Sequence, residues 1–292
     1  MKKILLRVWK KIKHAMPDKL HIRLMYFSVR HQILHLRNPK TYPHKVQWLK
    51  LYGNLEQFTD YADKYEVRKY IEAINCQDHL IPMIGVWDAF DEVPFDKFPD
   101  KFVIKATHGS GYNVIVTDKK TMNVDEMREK FNKWMGENYY NVSRETQYRL
   151  CKPRIIAEEY IDGDDGDLKD FKFYCFNGKP EIIVIASNRK TSLTIDVVDL
   201  KWNRFPATIG TYPNSKTLPD RPVQLDDMLK LAKKLSADFP FVRVDLYESH
   251  NKVYFGELTF TPGSGLEKFG PEDFNDWCGS MIDLSAYKKA SA

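Results

Sequence analysis

The sequence is poor in the features that would place it quickly. Four cysteines occur in 292 residues, at 76, 151, 175 and 278. No two form a CxxC pair and no histidine stands at metal-ligand spacing from them, which excludes a zinc module and a disulfide scaffold and leaves reduced, partly buried thiols. No apolar run approaches the ~20 residues that a membrane-spanning helix needs, and there is neither an internal repeat nor a low-complexity segment. The phosphate-binding pattern GxxxxGK[ST] is absent, and GxGxxG fails at its only candidate loop because residue 114 is Val. No helix-turn-helix, zinc-finger or RNA-binding aromatic motif accompanies the basic residues, so nucleic acid is not an expected partner.

Acidic residues are nearly missing from one end. Residues 1–50 hold thirteen Lys/Arg and one acid, Asp18, a net +12, so the remaining chain is −7 within an overall +5. The opening "MKKILLRVWKKIKHAM" spaces Ile4, Leu5, Val8, Trp9 and Ile12 at helical intervals, with Lys2, Lys3, Lys10, Lys11 and Lys13 on the polar side. Two readings stand for this basic segment, 1–37: peripheral contact with an anionic membrane surface, or packing on the protein's own domain. Charge interrupts the apolar stretch and no small-residue cleavage site follows, so the chain reads as uncleaved and cytoplasmic.

What is present alternates. Residues 40–75 carry apolar positions at helical spacing on either side of Gly53 and Asn54, predicting two helices. "LIPMIGVWDAF" reads as a strand and turn, "FVIKATHGSGYNVIV" as a strand, a glycine-containing loop and a second strand, and residues 123–138 as a helix. "RIIAEEYI" is a strand with an acidic end. "FKFYCF" and "PEIIVIAS" flank Asn177-Gly178 as a hairpin, residues 225–237 form a helix, and "FVRVDLYE" and "KVYFGELTF" make a final hairpin. The order predicts an α+β fold with antiparallel sheets.

Four places carry candidate chemistry. Lys105 precedes Gly109, Ser110 and Gly111, and glycines let backbone N–H groups approach a phosphate beside a compact positive charge; a flexible hairpin turn explains the loop equally well. His108 in the same loop reads as an ordinary loop histidine. Asp245 and Glu257 fall on neighbouring strands, with Thr259 two residues on and hence on the face of Glu257; paired carboxylates repel unless a cation lies between them, and oxygen-only ligands favour Mg²⁺. The run Glu158, Glu159, Tyr160, Ile161 offers an apolar slot with a polar edge, the form a nucleotide base requires. Asp170, Lys172 and Arg189 stand at strand ends suited to an anionic substrate.

Taken together, "NPKTYPHKVQWLKLYG", "DYADKYEVRKYI", "FVIKATHGSG", "IIAEEYI", "DFKFYCFNGKP", "VRVDLY" and "VYFGELTF" resemble the ATP-grasp superfamily, and specifically its TupA-like, teichuronopeptide-biosynthesis branch, from about residue 38 to 284. The resemblance implies an ATP-grasp fold in which two α+β subdomains with antiparallel sheets grip ATP, preceded by the basic helical segment. The divisions expected are a substrate-side subdomain at 38–100, a lid at 101–160 and a metal-bearing subdomain at 161–292. It implies Lys64 and Arg68 at the mouth of the cleft, Lys105 on phosphate with His108 to Gly111 in the closing loop, and Glu158 to Ile161 as the adenine hinge. Asp170 is implied on the ribose side, with Asp165 or Asp167 as alternatives, Lys172 and Arg189 on the transferred phosphate, and Asp245 and Glu257 on Mg²⁺. Where many ATP-grasp ligases have Glu-x-Asn, this chain has Glu257-Leu258-Thr259, which puts a second Mg²⁺ in question. The implied reaction joins a carboxylate, expected to be a uronic acid of a cell-surface glycan, to an amine or amino acid through an acyl phosphate. A sugar kinase, a glycosyltransferase and a non-catalytic nucleotide-binding module are the alternatives.

Overall fold

The computed structural model describes residues 15–164, 166–189 and 191–288; the expected amphipathic helix in the first 14 residues, and Asp165, lie outside the described residues. Helix α1 (Asp18–Arg30) leads into α2 (Tyr42–Tyr52), which begins where the Thr41 hydroxyl accepts from His44 N and stops at Gly53. Asn54 then takes a left-handed conformation, φ 48°. The single second helix expected here is broken into a 3-10 turn at Leu55–Phe58, a one-turn helix at Thr59–Ala62 and α3 (Val67–Ala73). The break falls at Asp63, whose carboxylate accepts from Tyr65 N at 2.8 Å and Glu66 N at 3.0 Å and so competes with helix continuation.

Two antiparallel sheets follow. The first takes β1 (Met83–Trp87), β2 (Phe102–Ala106), β3 (Asn113–Val116) and β4 (Ile155–Glu159) in the order β1-β4-β2-β3. Alternation along β2 turns Phe102, Ile104 and Ala106 into a core with Met127 and Phe131 of helix α4 (Val124–Met135), and leaves Val103 and Lys105 on the opposite face. The second sheet takes β5 (Asp170–Phe176), β6 (Lys179–Ser187), β7 (Thr194–Val198), β9 (Phe241–Ser249) and β10 (Lys252–Thr259) in the order β10-β9-β5-β6-β7. Helix α5 (Leu225–Ser236) packs its Leu225, Met228, Ala232 and Leu235 on one face of that sheet. A small pair, β8 (Thr208–Ile209) with β11 (Phe269–Gly270), and helix α6 (Glu272–Met281) complete the larger body.

The hydrophobic cores divide the chain differently from the expected subdomains. Phe90, Val93 and Phe98 join β1 in the core of the first sheet, whereas Tyr42, Val46, Leu49 and Ile71 belong with the second. Residues 38–100 are thus split between the two bodies. All four cysteines are free and buried, and burial pushes the thiols of Cys151, Cys175 and Cys278 up to about 12. No helix among the described residues is long and apolar enough to cross a membrane.

Candidate active site between the two sheets

The cavity of about 510 Å³ that opens between the sheets is walled by Val103, Lys105 and Ile115 of the first, by Arg189 and Tyr247 of the second, and by the connecting stretch Glu158 to Ile161 with Asp167 and Leu168. On the second sheet, beside the cavity-lining Tyr247, strand register sets a row of charged residues. Lys172 on β5 stands opposite Asp245 on β9, which stands opposite Glu257 on β10. One pleat along, Tyr174, Arg243 and Thr259 form a second row on the same face. A bulge between Phe255 and Glu257 resets the pairing, so Phe255 turns into the core while Glu257 faces the site. Gly256 occupies the bulge, where a Cβ would come within 2.9 Å of the Tyr247 ring and 3.0 Å of the Asp245 carbonyl oxygen.

The expected repulsion between Asp245 and Glu257 is relieved by a residue that the motifs did not single out. Arg243 donates from Nε to Asp245 Oδ1 at 2.7 Å and from Nη2 to Asp245 Oδ2 at 2.7 Å, and the same Nη2 reaches Glu257 Oε1 and Thr259 Oγ1, each at 3.2 Å. Lys172 adds a bond to Asp245 Oδ2 at 2.5 Å and one to Asp170 Oδ2 at 2.7 Å. Burial opposes the charge of Asp245, but Arg243 and Lys172 outweigh it and hold the carboxyl below its ordinary range. The signal for Arg243 was available: it precedes Asp245 by two residues in a strand and therefore shares its face.

On the opposite wall Glu158 accepts from Lys105 at 2.5 Å and from Arg68 at 3.1 Å, while Arg68 also donates to the carbonyl of Ile81 at 3.0 Å. Glu158 is thus paired with Lys105 and Arg68, and it lines the cavity together with Glu159, Tyr160 and Ile161. Lys64 donates to the carbonyl of Gly109 at 2.5 Å, tying the glycine loop to the helical segment before α3. Gly111 is left-handed, φ 74°, with open space where a Cβ would sit, and Ser110 is exposed beside it. His108 departs from the expected phosphate-side role. It is buried in the lid, its Nε2 2.9 Å from the carbonyl of Trp134, its ring on Tyr112, and burial lowers its pKa. It lies in the turn after β2, where Thr107, His108 and Gly109 are all buried, like Ala106 before them.

Asp170 is likewise committed to Lys172 and Arg189 and does not line the cavity, whereas Asp167 does, its carboxylate accepting from the backbone N–H of Asn188 and Arg189. Of the two described acids weighed for the ribose side, Asp167 lines the cavity and Asp170 does not.

A family model described as "TupA-like ATPgrasp" matches residues 44–283. The chain belongs to the TupA-like ATP-grasp family. No curated protein sequence matches it. Among solved structures it is similar to D-alanine–D-alanine ligase from Bacillus anthracis complexed with ATP, at 15% identity and TM-score 0.49 over 85% of this chain and 70% of that one. The corresponding ligase from Helicobacter pylori gives 15%, 0.42, 84% and 70%. A RimK domain ATP-grasp protein from Sphaerobacter thermophilus gives 12%, 0.41, 79% and 68%.

The donors of this ATP-grasp cleft suit a hard cation in kind. Asp245, Glu257 and Thr259 present only oxygens, Glu257 is about one-third exposed, and Asp170 Oδ1 is buried without a hydrogen-bond partner beside Lys172. No three His, Cys, Asp or Glu side chains converge among the described residues, and both oxygens of Asp245 accept from Arg243 or Lys172.

Proposed function

We propose that the protein is an ATP-dependent carboxylate–amine ligase, acting in the cytoplasm on a uronic-acid-containing glycan or its precursor and an amino acid or other amine. The observation that carries this reading is a set of cations at the cleft: Lys105 and Arg189 line the cavity, and Lys172 and Arg243 stand on the second sheet next to Asp245 and Glu257. Such a set neutralises a triphosphate and its transferred group, while Val103, Ile115, Ile161 and Leu168 supply apolar walls for a base.

In the first step a carboxylate oxygen of the substrate attacks the γ-phosphorus of ATP, the bond from that phosphorus to the β,γ-bridging oxygen breaks, and ADP leaves. The amine nitrogen then attacks the acyl carbon, the C–O bond to phosphate breaks, and the amine loses a proton. No side-chain nucleophile is required. Catalysis lies in positioning and in charge compensation by Lys172 and Arg189. Asp245, Glu257 and Thr259 would hold Mg²⁺, which supplies charge neutralisation at the phosphates.

Lys105→Ala and Glu257→Ala are each expected to lower ADP release at least about a hundredfold, measured by a coupled assay over uronic-acid glycans and amino acids; normal turnover in either variant removes the site assignment. Hydroxylamine added during turnover is expected to trap a hydroxamate. A phosphorylated sugar with no hydroxamate would make the protein a kinase instead.

A further inference from the structure

Helix α1 lies before the family-matched region, and its two faces differ in kind. The inner face buries Ile22 and Tyr26, and it turns the only acid of the first 50 residues inward: Asp18 accepts from Tyr140 at 2.5 Å and Arg149 at 3.5 Å, and pairs ionically with Arg144 at 3.1 Å. Arg30 at the other end donates to the carbonyl of Glu267 at 2.9 Å. The helix is therefore held at both ends. Its outer face carries Leu20, Leu24 and Phe27, which are 48%, 50% and 56% exposed and recur at the i, i+4, i+7 spacing of one helical stripe. Single exposed apolar residues are ordinary, but a stripe is not.

Basic residues flank that stripe. Lys19 and Arg23 on α1, with Arg37 from the following segment, border a concavity of about 950 Å³ next to Trp48 and Tyr52 of α2. None of these three cations makes an ion pair among the described residues. Unpaired like charges around one hollow repel each other, and an anionic surface relieves this.

We propose that the outer face of α1 is a membrane-docking surface for an anionic phospholipid bilayer, with Leu20, Leu24 and Phe27 entering the headgroup and acyl boundary while Lys19, Arg23 and Arg37 meet lipid phosphates. An apolar stripe bordered by cations is the form of an interfacial helix. The charge excess favours an anionic bilayer over a neutral partner face. The inference stands independently of the ligase reading, because α1 contributes no residue to the cavity.

The test uses the full chain in sedimentation with phosphatidylcholine vesicles, with and without phosphatidylglycerol. Binding is expected only to the anionic vesicles and is expected to weaken with salt. Leu20→Gln, Leu24→Gln and Phe27→Gln combined, and separately Arg23→Gln with Arg37→Gln, are each expected to weaken it at least about tenfold, with circular dichroism and ADP release unchanged. Wild-type binding by the triple variant overturns the proposal. So does a loss of affinity for a soluble polyuronate, or of self-association, in either variant while vesicle binding persists.

Discussion

Arg243 is the residue on which the electrostatics of the charged row on the second sheet turn. Its guanidinium is buried between two carboxylates and a hydroxyl, and its fork matches the two oxygens of Asp245 at 2.7 Å each. Lysine at this position keeps the charge and loses the fork. Arg243→Lys is therefore expected to lower the rate of ADP release about a hundredfold, with a smaller change in ATP affinity, which a KM-against-kcat comparison reads. Equal activity would mean that charge alone suffices. Asp245 and Glu257 were legible in the sequence as acids on two neighbouring hairpin strands, and Lys172 as sharing a strand face with Asp170. The partner that binds them together needed the register between strands.

At the scale of elements, the glycine loop is held by contacts distant in sequence. Lys64 reaches Gly109 O from the broken helical segment, and burial lowers the pKa of its ammonium while Glu257 pulls the other way. The hydrogen bond joins the lid to the larger body, so Lys64→Met is expected to loosen the loop, raising the ATP KM about tenfold by loss of one charge-assisted bond and speeding proteolysis within 107–113. An unchanged KM together with an unchanged cleavage rate would show that the loop is held without it. The strand-loop-strand form of 102–116 was readable from its apolar runs and glycines. The pairing of β1 with β4, which puts residues 83–87 into the lid sheet, was not, because that contact spans some 70 residues of chain and leaves no local pattern.

For the molecule as a whole, α2 is tied to the turn that follows β10, Pro262–Gly265, through a buried lysine. Lys50 donates to Ser264 O at 3.1 Å and Ser264 Oγ at 2.9 Å, and burial lowers its pKa to about 8. An unfolded lysine titrates near 10.4, so between these values the unfolded chain binds more protons and stability rises with pH. The burial cost is fully present below pH 8 and vanishes towards the unfolded value. Lys50→Met does not titrate, so the stability of the natural protein relative to this variant is expected to increase by about 2 kcal/mol between pH 7.5 and 9.5, measured by urea unfolding at both pH values. A pH-independent difference would contradict a buried, titrating Lys50.

The sequence by itself determined the class of fold, the hairpins at 170–187 and 241–259, the glycine loop and the strand positions of Lys105, Lys172, Asp245 and Glu257, because each follows from local periodicity and turn chemistry. Only the tertiary structure decided that Arg243 occupies the space between the two carboxylates, that Glu158 is taken up by Lys105 and Arg68, that His108 points into the lid, and that Asp167 rather than Asp170 borders the cavity. Those outcomes depend on register, on the Gly256 bulge and on which of several nearby ions pair. Charge pairing is settled by distances between strands, and a one-residue shift in a strand reverses which side chains face one another.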